Sequence, residues 1–200
     1  MKKILLLGVV SASLLSAGTP LGNELKVVEG GINLNNEDLG FRVAGYTTPE
    51  GTQSSLKFAL DGVNAEGYKR LTFSTLIQNK IEPIPGAYMG VGLSYAYLES
   101  DEGQTLNLHQ LPLTIEGTYY FPELNYNIPP TAIKANIQYA PKVLSFGDSE
   151  GYQHYSVEGS IEPIENIELY IGYRFGNVDS VFGVSDEFAS DAYFGLNFTF

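Results

Sequence analysis

His154, Ser156 and Glu158 are the residues whose types and spacing could do chemistry. They stand at positions i, i+2 and i+4. On an extended strand alternate side chains share one face, so a base, a hydroxyl and a carboxylate would sit side by side, about 7 Å between neighbours. Nucleophilic catalysis by the serine would require hydrogen-bond contact with the histidine and an orienting carboxylate. The same three residue types are also ordinary on the polar face of a strand, where they form a hydrogen-bonded cluster.

The rest of the chain offers little other chemistry. The second histidine, His109, shares parity with Leu111 and Leu113 and reads as an interfacial residue outside the wall near a rim. Two isolated histidines and no cysteine give no zinc spacing. No glycine-rich phosphate loop opens a helix, and no helix is evident. No metal or cofactor is therefore expected. The acidic runs Glu99-Ser100-Asp101-Glu102 and Asp148-Ser149-Glu150 have ligand types suited to Ca²⁺, but solvated loops account for them better.

A strand has to position the triplet, and the end of the chain shows what kind. Ala192, Phe194, Leu196, Phe198 and Phe200 occupy one parity, and Asp191, Tyr193, Gly195, Asn197 and Thr199 the other. About ten residues of such alternation is the length of a tilted strand that crosses a bilayer. Seven further segments repeat the pattern, with outward sets such as Leu71/Phe73/Ile77, Met89/Val91/Leu93/Tyr95 and Ile167/Leu169/Ile171/Tyr173. Leu39–Ala44 is a shorter example, and a segment from Leu25 to Leu34 alternates poorly. Ten strands are expected, or eight if the first hairpin lies outside the wall. An even count brings both termini to one side, as bacterial barrels require. The predicted fold is an all-β, antiparallel, up-and-down transmembrane barrel.

Charges of both signs lie on the polar parity: Arg42, Lys57, Asp61, Arg70, Glu116, Lys134, Glu158, Glu168 and Arg174. Facing lipid near the midplane, each would cost about 2–4 kcal/mol. Together they would exceed a typical folding stability of about 5–15 kcal/mol. They are expected to form a charge network in the lumen. The alternative is a soluble sandwich with these charges in water.

The start of the chain is consistent with export. Lys2 and Lys3 precede an apolar run from Ile4 to Leu15 and the small residues Ser16, Ala17 and Gly18, the pattern of a secretory signal peptide. Residues 1–18 are read as that leader and 19–200 as one barrel domain, with Sec export to the periplasm. No cysteine follows the leader, so no lipoprotein anchor is expected. Losing the leader removes two of 11 basic residues and none of 23 acidic ones, which moves the formal charge from −12 to −14. Nucleic-acid binding through phosphates needs a basic surface and is not expected.

The sequence resembles the YfaZ family of outer-membrane proteins. Gly151–Ser160, Pro163–Asn166 and Ile167–Gly176 (IELYIGYRFG) are similar to the family's strand, proline turn and "V-x-x-GYRY" strand. Ala192–Phe200 (AYFGLNFTF) is similar to its terminal "YVGVGLSF". The resemblance implies a small Gram-negative outer-membrane barrel and brings no established activity or catalytic residues. Phe194, Leu196, Phe198 and the final Phe200 are read as the signal that barrel assembly machinery recognises during insertion.

Three functions compete on this reading. One is a structural or interaction barrel with a side-chain-filled, charged lumen. The second is a narrow, porin-like pore for small solutes, given room by Gly90, Gly92, Ser94, Ala96, Gly172 and Gly195. The third follows from the His-x-Ser pair, which resembles that of PagL-type lipid A deacylases. Those sites face lipid, whereas His154, Ser156 and Glu158 share the lumen parity. Outer-membrane lipid and lipopolysaccharide are the expected partners, with a monomeric state.

Overall fold

The computed structural model describes residues 27–35, 38–49, 54–65, 67–100, 106–122, 128–181 and 185–200. The leader expectation at 1–18 lies outside them. The described residues form β1 (Val27–Leu34), β2 (Leu39–Thr47), β3 (Ser55–Asn64), β4 (Tyr68–Lys80), β5 (Ala87–Ser100), β6 (Leu106–Gln110) and β7 (Leu113–Tyr120). They continue with β8 (Thr131–Ala140), β9 (Ser145–Gly147), β10 (Ser149–Ile164), β11 (Ile167–Ser180) and β12 (Ser185–Thr199). β1 pairs with β12 and β4 with β5, so the antiparallel sheet closes on itself.

Twelve segments make ten wall strands because two wall strands are broken. Pro112 separates β6 from β7, and both segments pair with β5. Proline donates no ladder bond; here its carbonyl accepts from the Ser94 N–H at 2.9 Å. A 3₁₀ turn, Lys142–Leu144, separates β8 from β9, and β9 continues upward to pair with β6. The closed count is the expected ten rather than eight, because β1 is ladder-bonded on both sides.

The reason β1 alternates poorly is Gly30. Ile32 and Leu34 point outward and Asn33 inward, while Gly30 occupies an outward position with the Phe200 ring over it. An aromatic neighbour covering a strand glycine is a known way to stabilise that position.

Strand phase follows the alternation read from the C-terminus. Ile171, Phe194 and Val157 point outward with 66 %, 60 % and 55 % exposure, while Tyr193, Asn197 and Tyr170 are buried within. Leu76 is an exception, an apolar residue on the inward parity of β4 and fully buried there. Toward the turn end Tyr119 packs edge-on against Phe121 beside the belt, while Tyr88 packs edge-on against Tyr120 on the lumen side.

The two ends of the barrel differ. Both chain ends of the wall lie with the turns after β2, β4, β7 and β10, and the Phe200 N–H donates to the Val28 carbonyl at 2.9 Å. At the tightest of these turns Asn166 takes a left-handed φ of 65°, as a short hairpin requires. The phrase Ile-Glu-Pro-Ile occurs in two turns on this side. At Ile81–Ile84 it is the turn itself; at Ile161–Ile164 it is the bulged end of β10.

At the opposite end the strands run further than the sequence suggests. Segments 99–107, 142–151 and 177–190 read as long loops, yet β11 extends to Ser180 and β12 starts at Ser185. These strand ends rise beyond the apolar belt, where the outward residues include Glu99, Asn177, Asp179 and Glu187, so their hydrophobic periodicity is weak.

Candidate functional site

The inward faces of the strands converge on a lumen held by ion pairs. Arg42 on β2 reaches Glu158 on β10, with Nη2 to Oε1 at 2.6 Å and Nη1 to Oε2 at 3.0 Å. Tyr193 donates its hydroxyl to the same Oε1 at 2.7 Å. Lys57 binds both oxygens of Glu116, at 2.6 and 2.8 Å. Lys134 binds both oxygens of Glu168, at 2.9 and 3.0 Å, and Asn197 donates to Glu168 at 2.7 Å. Arg70 donates from Nη2 to Asp61 at 2.6 Å. Arg174 donates from Nε to Asp191 at 2.9 Å and from Nη2 to Asp38.

The structure thus brings the nine charges chosen from the sequence into ion pairs. It adds Asp38 and Asp191, which the sequence reading passed over. Asp191 stands on the polar parity of β12 and could have been found. Asp38 lies in the turn before β2, where strand periodicity carries no information.

Aromatic faces line the same pairs. Arg42 lies over Tyr170 at 5.7 Å, Arg174 over Tyr193 at 5.2 Å and Lys57 over Tyr46 at 5.6 Å. Cation–π attraction strengthens when the groups are desolvated. A ladder of hydroxyls crosses β4, β5 and β7: Ser74 to Ser94 at 2.7 Å and Ser94 to Thr114 at 2.6 Å.

At the end opposite the termini, apolar side chains pack together inside the wall. Val63, Tyr68, Leu98, Leu108, Val178 and Ala189 form one buried cluster, and Ala96, Ala140 and Tyr152 another. Phe188 joins them, stacked on Tyr152 at 5.8 Å and edge-on to Tyr68 at 5.5 Å. It sits directly over Gly176, whose missing side chain makes space for the ring.

Between this plug and the turn end lies a cavity of about 470 Å³. Tyr46, Tyr88, Tyr120 and Ser55 line it near the turns, and Arg70, Thr72, His154 and Arg174 line it near the plug.

The catalytic-looking triplet is on this lumen face but is not assembled as a relay. His154 is buried, with its ring stacked beside Phe188 at 6.4 Å, and neither ring nitrogen has a hydrogen-bond partner. Glu158 is engaged by Arg42 and Tyr193 rather than by the histidine. Ser156 lines the cavity. His109 lies on the outer face of β6, where Tyr95 Oη is 2.7 Å from Nδ1. In the acidic runs, Glu99 pairs with Lys69 and Glu150 with Lys142. No group of residues suited to hold a metal ion occurs among the described residues. The terminal residues Phe194, Leu196, Phe198 and Phe200 share the outer face of β12, with Leu196 half-buried and the three phenylalanines exposed.

No family model matches the chain, and no curated protein matches it in sequence. Solved outer-membrane β-barrels resemble it in shape. The outer membrane channel DcaP of Acinetobacter baumannii aligns over 90% of this chain with 11% identity and a TM-score of 0.42. The alignment covers 63% of the DcaP chain, so this barrel spans less than two thirds of that channel's length. The NanC porin aligns over 86% of this chain and 97% of its own, with 10% identity and a TM-score of 0.42. OmpT, an outer membrane protein of Vibrio cholerae, aligns over 86% of this chain and 63% of its own, with 13% identity and a TM-score of 0.31.

Proposed function

We propose that this chain is a small bacterial outer-membrane barrel of structural or interaction type, with a braced lumen that does not conduct. The observation that carries the membrane reading is the outer belt. Isoleucine, leucine, valine and phenylalanine side chains stand exposed around a closed wall. Soluble monomers rarely expose apolar patches beyond a few hundred Å², and hydrocarbon is the solvent such a belt fits. Export through the leader at 1–18, a monomeric state and membership of the YfaZ family belong to the same reading. The family likeness rests on Gly151–Gly176 and Ala192–Phe200.

The non-conducting part rests on the plug around Phe188 and on the Arg42–Glu158 bridge that spans the lumen. Barrels of about eight strands have interiors that side chains can fill. A narrow pore is the second reading, favoured by the cavity that reaches the turn end. Planar-bilayer recording on the refolded chain separates the two. A silent bilayer is expected; stable unitary openings would sink the braced-lumen reading. Recovery of the exported protein from the soluble periplasm, with no heat-dependent gel shift, would sink the membrane reading. The deacylase idea is tested apart, by comparing lipid A acylation in cells expressing the wild type and Ser156→Ala.

A further inference from the structure

The turn end of the cavity is lined by aromatic rings and by one carboxylate that the lumen ion pairs do not use. Glu29 on β1 and Tyr46 on β2 stand on one side of this mouth, Tyr88 on β5 and Tyr120 on β7 on the other, and all four line the cavity. Their side chains are accessible: Tyr120 is 47 % exposed, and Glu29, Tyr46 and Tyr88 are half-buried. They converge across the lumen, since Glu29 and Tyr46 both lie within electrostatic reach of Tyr120. The two lysines of this half are committed elsewhere. Lys57 holds both oxygens of Glu116, and Lys134 both oxygens of Glu168. Lys134 is near enough to feel Glu29, yet Glu29 makes no ion pair among the described residues. Its one hydrogen bond there comes from the Tyr46 hydroxyl to Oε2, long at 3.4 Å. Lys57 already lies over the Tyr46 ring at 5.6 Å, whereas the edge-on rings of Tyr88 and Tyr120 carry no cation among the described residues.

We propose that this mouth is a binding site for a small, singly charged organic ammonium, seated between Glu29 and the Tyr88–Tyr120 pair. Glu29 supplies the opposite charge. The tyrosine faces supply the rest, because a ring quadrupole attracts a cation, more strongly when both are desolvated. The size fits: the cavity holds about 470 Å³, and small-molecule pockets run from about 300 to 1,000 Å³. The sign follows from the ion pairs. An anion finds no uncommitted cation at this end, since Lys57 and Lys134 each already hold a carboxylate. One spare carboxylate matches one positive charge. A calcium ion takes about six to eight oxygen ligands, and no group of residues suited to hold a metal ion occurs among the described residues. The site lies inside the wall and opens toward the turn end, so a free solute reaches it rather than a lipid headgroup held in the bilayer. Its occupancy does not depend on conduction through the plug.

The test is calorimetric titration of the refolded full-length barrel, in a nonionic detergent, with tetramethylammonium chloride. Sodium benzoate and calcium chloride are the comparison titrants. The expected result is saturable tetramethylammonium binding with a dissociation constant of about 1 mM or tighter. Glu29→Gln keeps an oxygen for the Tyr46 hydroxyl and removes the charge. Tyr120→Leu removes one ring of the pair. Each should weaken binding about threefold or more, while a heat-dependent gel shift shows that each is folded. Tyr88→Leu replaces Tyr120→Leu if the latter shows no shift. No saturable heat with folded wild type, unchanged affinity in either folded variant, or benzoate or calcium bound more tightly than tetramethylammonium would each overturn the assignment. Bilayer recording reads the braced lumen separately, so the two ideas fail independently.

Discussion

Arg42 and Glu158 clasp each other across the lumen from strands that are not neighbours in the wall, through hydrogen bonds of 2.6 and 3.0 Å. The bridge fixes the separation of opposite walls, which ladder hydrogen bonds alone do not. A buried pair contributes little net stability compared with an apolar pair, but losing one member strands the other charge. Glu158→Gln should therefore lower the unfolding free energy by about 3–5 kcal/mol. The double variant Arg42→Met/Glu158→Leu should unfold close to the wild-type midpoint. Urea titration in lipid vesicles, followed by far-ultraviolet circular dichroism, checks both. A double variant as unstable as the single one would show that the bridge is not an isolated charge problem.

Much of this was legible in the sequence, for a simple reason. A closed wall with an apolar outer face and a polar lumen imposes period two on its strands, so Phe194, Leu196 and Phe198 set the phase for Ile171, Val157 and Leu93. Two breaks have local causes: Gly30 under the Phe200 ring, and Leu76 turned inward. What could not be read is which charge meets which. Arg42 facing Glu158 depends on strand stagger and closure, and no strand records the stagger of another. Phe188 was hidden differently. It lies beyond the belt, in a stretch that reads as loop, and it shares parity with the outward Phe194; only the bulge opposite Gly176 and Asn177, where Phe188 is the extra residue, turns it inward.

The plug should behave as one contact between Phe188 and Gly176. Phe188→Ala removes a ring held by Tyr68, Tyr152 and His154, and should cost about 3 kcal/mol. Gly176→Ala places a methyl where the ring lies and should cost about 1–3 kcal/mol through overpacking. In the Phe188→Ala background the methyl has room, so Gly176→Ala should become nearly neutral. A double-mutant cycle on urea midpoints measures the coupling. Simple additivity would mean that the ring does not occupy the Gly176 position.

The final residue should matter for assembly more than for stability. Phe200 is 82 % exposed, and its ties among the described residues are two backbone hydrogen bonds with Val28, of 2.9 and 3.5 Å, and the edge of its ring over Gly30. Deleting Phe200 removes these ties and should lower the in-vitro unfolding free energy by about 1 kcal/mol. In cells it should lower the amount of heat-shifting, folded barrel in the membrane fraction. Equal cellular amounts of the truncated and full-length forms would remove the terminal aromatic from the insertion signal.

The outer face offers the sharpest test of its own solvent. Ile171 projects outward from the middle of the belt, between Gly159 and Phe194 in the ladder, and is 66 % exposed. Ile164, comparably exposed, projects outward at the turn end of β10. Lysine at the bilayer midplane costs about 2–4 kcal/mol, falling to about 0–1 kcal/mol near the interfaces. Ile171→Lys should therefore destabilise the vesicle-inserted barrel by that larger amount, and Ile164→Lys by the smaller. A wall facing water would show no such gradient, because an exposed lysine is easily accommodated at both places. Equal, small effects at the two positions would mean that the belt is not in hydrocarbon, and a midplane-sized cost at Ile171 alone would mean that it is.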